Sequence, residues 1–183
     1  MSAAEDHRRI AGVFTARVVG APPAAWDNPA PPEGWVARDV VRHLVEWFPS
    51  FLEHGAGVKL AAGPSVDDDP VAAWQVHSNA VQELLDDPAT VGKTLSNRHI
   101  GEVPLDRAVS GFYTADVFMH TWDLSRATGQ DETLDPARCA ELLAGMEPLD
   151  AVLRSSGQYG PRVEVPADAD VQTRLLAFIG RNV

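Results

Sequence analysis

Cysteine is nearly absent from this chain. Cys139 is the only one in 183 residues, so no internal disulfide can form, and that scarcity fits a reducing compartment. Long hydrophobic runs are missing too. No stretch approaches the roughly 20 apolar residues of a membrane span, and the opening MSAAEDHRRIAGVF lacks the apolar run of a signal peptide. Positive charge is scarce: 15 Lys and Arg face 26 Asp and Glu, a formal net charge of −11. Such a chain is repelled by phosphate backbones and anionic lipid, which argues against nucleic acid and membrane as partners. No internal repeat stands out. The expectation is a cytoplasmic protein.

What is present is apolar material at helical spacing. Hydrophobic residues make up 45% of the chain, enough to bury one sizeable core, and the length suits one domain over 1–183. Proline and glycine cut the chain into helix-sized pieces. Ile10, Val13, Phe14 and Val18 predict a first helix from Ala4 to Val19. A proline-rich connector, GAPPAAWDNPAPPEGW, follows, with Trp26 and Trp35 expected to pack back on the fold. Val40, Leu44, Trp47, Phe48, Phe51 and Leu52 predict a second helix from Ala37 to His54, stopped by Gly55. A third runs from Pro70 to Leu85. Thr90 to Val103 reads as a loop or small hairpin. The fourth helix spans Asp106 to Thr128 and closes on Gly129, a fifth spans Pro136 to Arg154, and Asp168 caps a last one from Ala169 to Ile179. The fold class is therefore all-α, with a four-helix bundle as the natural architecture.

The fourth helix carries the chemistry. AVSGFYTADVFMHTWDL is apolar on nearly every side, which marks a buried helix, yet Asp116, His120 and Asp123 lie in its middle. Spacings of four and three place them on one face. A buried unpaired carboxylate costs several kcal/mol, so each needs a partner. A divalent ion is one such partner, because an aspartate and a histidine four residues apart can converge on one cation. A buried Asp–His hydrogen bond is the other. His43 on the second helix, three after Val40 and four before Trp47, points to the same core and is the natural third ligand. Asp39, one turn earlier, is placed to orient its imidazole, and Arg126 is placed to pair with Asp123.

Three stretches resemble a known family. GWVARDVVRHLVEW and ADVFMHTWDLSRATGQD are similar to the second- and fourth-helix signatures of the DinB-like superfamily, in particular the N-terminal domain of mycothiol-dependent maleylpyruvate isomerase. YGPRVEVPADADVQTRLLAFIGR resembles a single-domain actinobacterial branch described as metal-binding. The resemblance implies an up-down-down-up four-helix bundle with extra C-terminal helices and short extended segments. It also implies a divalent ion, zinc first with nickel or iron as alternatives, on His43, Asp116 and His120. Two departures stand out: the isomerase has a glutamate where this chain has Asp116, and it carries a second domain that this chain has no room for.

The function this implies is a thiol-dependent S-transferase or isomerase. A metal-bound thiol, mycothiol, loses its proton and attacks an electrophilic substrate. No residue stands out as a dedicated base, and a homodimer is left open. Two rivals need the same triad: a non-catalytic metal- or ligand-binding protein, and a hydrolase with metal-activated water. A cleft lined by basic groups such as Arg42, Arg98 and Arg126 would favour the thiol, whereas Trp and Phe sealing the fourth position would not. The other polar candidates are expected to be structural. His77 could reach the ion but is expected to be partly exposed. His54 lies roughly 16 Å along the helix from His43 and serves its C-terminus. His99 sits in a loop. Asp67 to Asp69 form a solvated helix start and not a calcium loop. Cys139 is a packing residue, and Trp35, Trp47 and Trp122 belong to the core or to a pocket mouth.

Overall fold

The computed structural model describes residues 1–98 and 100–183, so the loop assigned to His99 lies outside the described residues. Among the described residues the protein is predominantly helical, with one two-stranded sheet. Helix α1 covers Ala3–Gly20, α2 covers Ala37–Ala56 and α3 covers Pro70–Asp86. A hairpin follows, β1 Thr94–Asn97 and β2 Gly101–Pro104, and then α4 Leu105–Ala108, a π-helical segment Val109–Thr114 and α5 Ala115–Thr128. The C-terminal part holds α6 Pro136–Met146, α7 Asp150–Ser155 and α8 Val171–Phe178. Helix α1 packs on α3 and α5, and α2 packs on the same two, so four helices surround one core; α8 packs on α6 beside them.

The local chemistry explains these boundaries. Ser2 and Glu5 form a reciprocal capping box at the start of α1. Asp69 caps α3 by accepting from the Ala72 amide at 2.9 Å, with Pro70 opening the helix. Gly129, at φ +68°, ends α5. The core stripe of α2 is fully buried at Val40, Leu44, Phe48 and Leu52, and Trp26 from the connector is buried with it. The hairpin pairs Leu95 with Val103 and inserts Leu95 beneath α2.

Several boundaries differ from expectation for identifiable reasons. Helix α2 runs past Gly55 and stops at Gly57, whose φ of +65° suits the stop. Gly55 is instead a point of close approach, because a Cβ there would lie 2.7 Å from the Leu95 side chain. The helix expected to reach Arg154 breaks at Met146, where Pro148 cannot donate to a carbonyl one turn back. The last helix is capped by Asp170, which accepts from the Thr173 amide at 3.0 Å, and not by Asp168. The fourth helix keeps its expected extent but contains the π turn at Val109–Thr114, which holds the weak helix formers Ser110 and Gly111.

His77 is not partly exposed; it is buried beside Trp74, Phe48 and Tyr113. His7 on α1 is fully buried as well, with Nδ1 2.9 Å from Thr114 Oγ1. Burial pushes both imidazoles down from 6.5 to about 4. The folded protein thus holds them neutral while the unfolded chain protonates them near 6.5, so stability is complete above that pH and falls as pH drops towards 4. The loss is on the order of 3 kcal/mol for each histidine. Denaturant titrations from pH 7.5 to 4.5 should show this decline, and His77→Leu should remove about half of it. An unchanged slope in that variant would place the acid sensitivity elsewhere.

Candidate metal centre

The centre lies where α2 meets α5. One ligand atom each from His43, Asp116 and His120 lie within 4.8 Å of one another. His43 Nε2 is 3.0 Å from Asp116 Oδ2, and His120 Nε2 is 3.5 Å from Asp116 Oδ1. The two imidazole rings stand 4.9 Å apart, edge to face. Two imidazole nitrogens and a carboxylate oxygen are an ordinary donor set for zinc and similar ions. The group could therefore hold a metal ion. Side-chain exposure rises from 7% at His120 through 18% at Asp116 to 33% at His43, so the site opens to solvent on the α2 side.

Sequence and packing place these side chains. The π turn lies directly before Asp116 and changes the angular register of the helix, so Tyr113 stacks on Phe48 at 4.0 Å while Asp116 and His120 face His43. Around them α5 is buried at nearly every residue, as its all-round apolar sequence requires.

The contacts behind the ligands differ in part from expectation. Asp123, expected to pair with an arginine, also reaches His120: its Oδ2 lies 2.8 Å from Nδ1. A hydrogen on Nδ1 donates to that carboxylate and leaves the Nε2 lone pair for an ion. Burial alone would lower the pKa of His120, but the carboxylates of Asp116 and Asp123 outweigh it and hold the imidazole above its ordinary value. Burial would likewise raise Asp123, yet the hydrogen bonds from His120 and Arg181 hold its carboxyl below the ordinary range. Arg126, expected beside Asp123, is exposed, pairs with Glu132 at 3.3 Å and lies over Trp122 at 4.9 Å. The arginine on Asp123 is Arg181. Asp39 does not orient His43. It accepts from the Val36 amide at 2.9 Å and from Arg42 Nε at 3.2 Å, so it caps α2. An acidic residue at that capping position was a local signal for this role.

Two aromatic contributions had no such signal. Trp47 Nε1 donates to Asp116 Oδ2 at 3.1 Å and so fixes the carboxylate. Trp35, from the proline-rich connector, lies 5.2 Å from the His43 ring and stacks on His120 at 5.8 Å. Trp122 is core. Among the other candidates, Cys139 is buried, its thiol pushed up to about 11 by burial first and nearby carboxylates second, as suits a packing role. His54 is exposed in the last turn of α2, with Nδ1 2.7 Å from the Ser50 carbonyl.

The fold and the site together define a helical protein with a candidate His–Asp–His metal centre. No family model matches the chain, and no solved structure matches it. It is 29% identical over 186 residues to two Mycobacterium tuberculosis proteins described only as uncharacterized, one in strain CDC 1551 / Oshkosh and one in strain ATCC 25618 / H37Rv. In each case the match covers 97% of this chain and 96% of the relative.

The triad makes a direct prediction. His120→Ala should abolish ion binding, read by elemental analysis of untagged protein, while circular dichroism shows a folded chain. Asp123 keeps Arg181 as counter-charge in that variant, so the stability loss should be about 1–3 kcal/mol. Complete unfolding at 25 °C would make the ion a requirement for folding instead.

Proposed function

We propose that this is a divalent-metal-binding protein with a DinB-like, up-down-down-up bundle, acting in the cytoplasm as a thiol-dependent S-transferase or isomerase. The observation that carries the reading is a set of three convergent donors with a solvent-accessible edge at His43. Zinc-type ions prefer four ligands, and catalytic sites keep one position open for an exchangeable group. When bound there, the ion would lower the pKa of a coordinated thiol or water and so supply a nucleophile at neutral pH.

The chain's own residues have defined tasks in this reading. His43, Asp116 and His120 hold the ion. Asp123 fixes the His120 ring through Nδ1, and Trp47 fixes the Asp116 carboxylate. Trp35 shields the imidazoles from one side. The thiol itself, mycothiol, and its electrophilic partner enter through the family resemblance.

One observation favours a second reading, in which water is the exchangeable ligand. The thiol reading calls for basic groups at the mouth of the site to meet a polar ligand. Arg42, however, is tied to Asp39 and Asp67, and Arg126 to Glu132. Trp35 and Trp47 flank the triad instead. Water needs no basic lining, so a hydrolase fits this mouth with fewer demands.

Cobalt substitution separates the two. Addition of mycothiol to the cobalt protein should produce a sulfur-to-metal charge-transfer band, and a thiol-free analogue should not. If millimolar mycothiol leaves the spectrum unchanged, the thiol reading fails and the hydrolytic one leads. Loss of hydrolytic activity against ester or amide substrates as well would leave an ion that staples α2 to α5.

A further inference from the structure

We infer that Arg181 is a positioning residue of the metal centre, through which ion loading and docking of the C-terminal segment support each other. The inference rests on the metal-binding reading above and goes beyond it, because Arg181 lies 58 positions from Asp123 in the chain and touches none of the three ligands.

Asp123 has no exposed side-chain surface. Three donors meet its carboxylate: His120 Nδ1 at 2.8 Å from Oδ2, Arg181 Nε at 2.8 Å from Oδ1, and Arg181 Nη2 at 2.8 Å from Oδ2. The two-pronged arginine contact fixes the plane of the carboxylate as well as its position. That plane sets the direction of the His120 Nδ1 bond, which in turn aims Nε2 at Asp116. An ion binds a neutral imidazole. With His120 neutral, Arg181 is the charged partner that balances Asp123. Without it, a buried carboxylate would lose both its counter-charge and its orientation.

The arginine is also held in place from its own side. Its backbone amide donates to the Leu176 carbonyl at 2.8 Å, which closes α8. Gly180 makes that turn at φ +87°, so tightly against the preceding strap that a Cβ would lie 3.0 Å from Gly160 Cα and 3.0 Å from the Pro161 carbonyl. The Val163 amide donates to the Ala177 carbonyl at 2.9 Å, and the Arg154 guanidinium donates to the carbonyls of Gly160 and Phe178. Arg181 therefore reaches Asp123 from a pinned turn, with only 15% of its side chain exposed. This is unlike a surface ion pair, whose flexible side chains and solvation leave it weak. Coupling between two sites is reciprocal: whatever docking adds to ion affinity, the ion adds to docking.

The test compares wild type with Arg181→Met, Arg181→Lys and Arg126→Met. Zinc is titrated calorimetrically into chelator-treated protein, and amide hydrogen exchange is followed over residues 171–183 with and without zinc. Arg181→Met should weaken zinc 10- to 100-fold, the range for loss of a group that orients a metal-bound histidine. Arg181→Lys should fall between, because lysine keeps the charge but not the fork. Arg126→Met should match wild type. Zinc should slow exchange over 171–183 in wild type and leave it unchanged in Arg181→Met. A folded Arg181→Met with wild-type affinity, or zinc-independent exchange in wild type, overturns this inference while leaving the metal centre standing. Wild type that binds no zinc overturns both. If Arg181→Met does not fold, Arg181→Lys decides: weakened binding supports the inference and unaltered binding overturns it.

Discussion

The structure turns on a line of polar groups, Asp116, His120 and Asp123, placed inside a helix that is otherwise buried in apolar surroundings. Asp123 there has lost its water and Asp116 most of it, and each must recover the equivalent in hydrogen bonds and charge. Much of the architecture around α5 follows from that demand. The Trp47 N–H turns inward to Asp116 although tryptophan at that position extends an apolar stripe. His43 faces the same carboxylate from α2. The C-terminal turn brings a guanidinium onto Asp123. Apolar packing seats α5 among its neighbours, and this polar line adds specific partners to that fit.

The same arrangement gives the site its chemical asymmetry. Behind His120 the structure is closed, with Asp123 fully buried and its partners fixed. In front, at His43, a third of the side chain meets solvent. A rigid back and an open front are what a site needs if its ligands are to stay in place while something else exchanges. The aromatic flanks of Trp35 and Trp47 give the site a less polar surround than the chain's overall acidity would suggest.

The parts legible in the sequence were those governed by local rules. Helical periodicity located α1, α2, α3 and α5 because spacing along one helix decides which face is buried. The convergence of His43 with Asp116 and His120 followed from polar residues placed within two apolar stripes. What was not legible depended on distant partners. Nothing near Arg181 marks it for Asp123, and the nearer Arg126 was the natural but incorrect choice, since it extends over Trp122 into solvent. The burial of His77 depends on how α3 rotates against Phe48 and Tyr113, which the spacing from Trp74 does not determine. Asp39 was misread for a different reason. Two local rules competed for it, and capping prevailed over a contact to a ring one turn away.

The π turn ahead of Asp116 has a consequence for how this centre can change over evolution. A π turn is an angular offset between two parts of one rod, and Val109–Thr114 supplies it between Tyr113 and the ligand pair. Conversion of this stretch to plain α geometry at unchanged length would swing everything downstream by about 100° relative to everything upstream. Asp116 and His120 would keep their mutual spacing yet turn together away from His43. The winding of this stretch and its residue count are therefore tied together, like the pitch and tooth count of a gear: one can change only if the other changes with it.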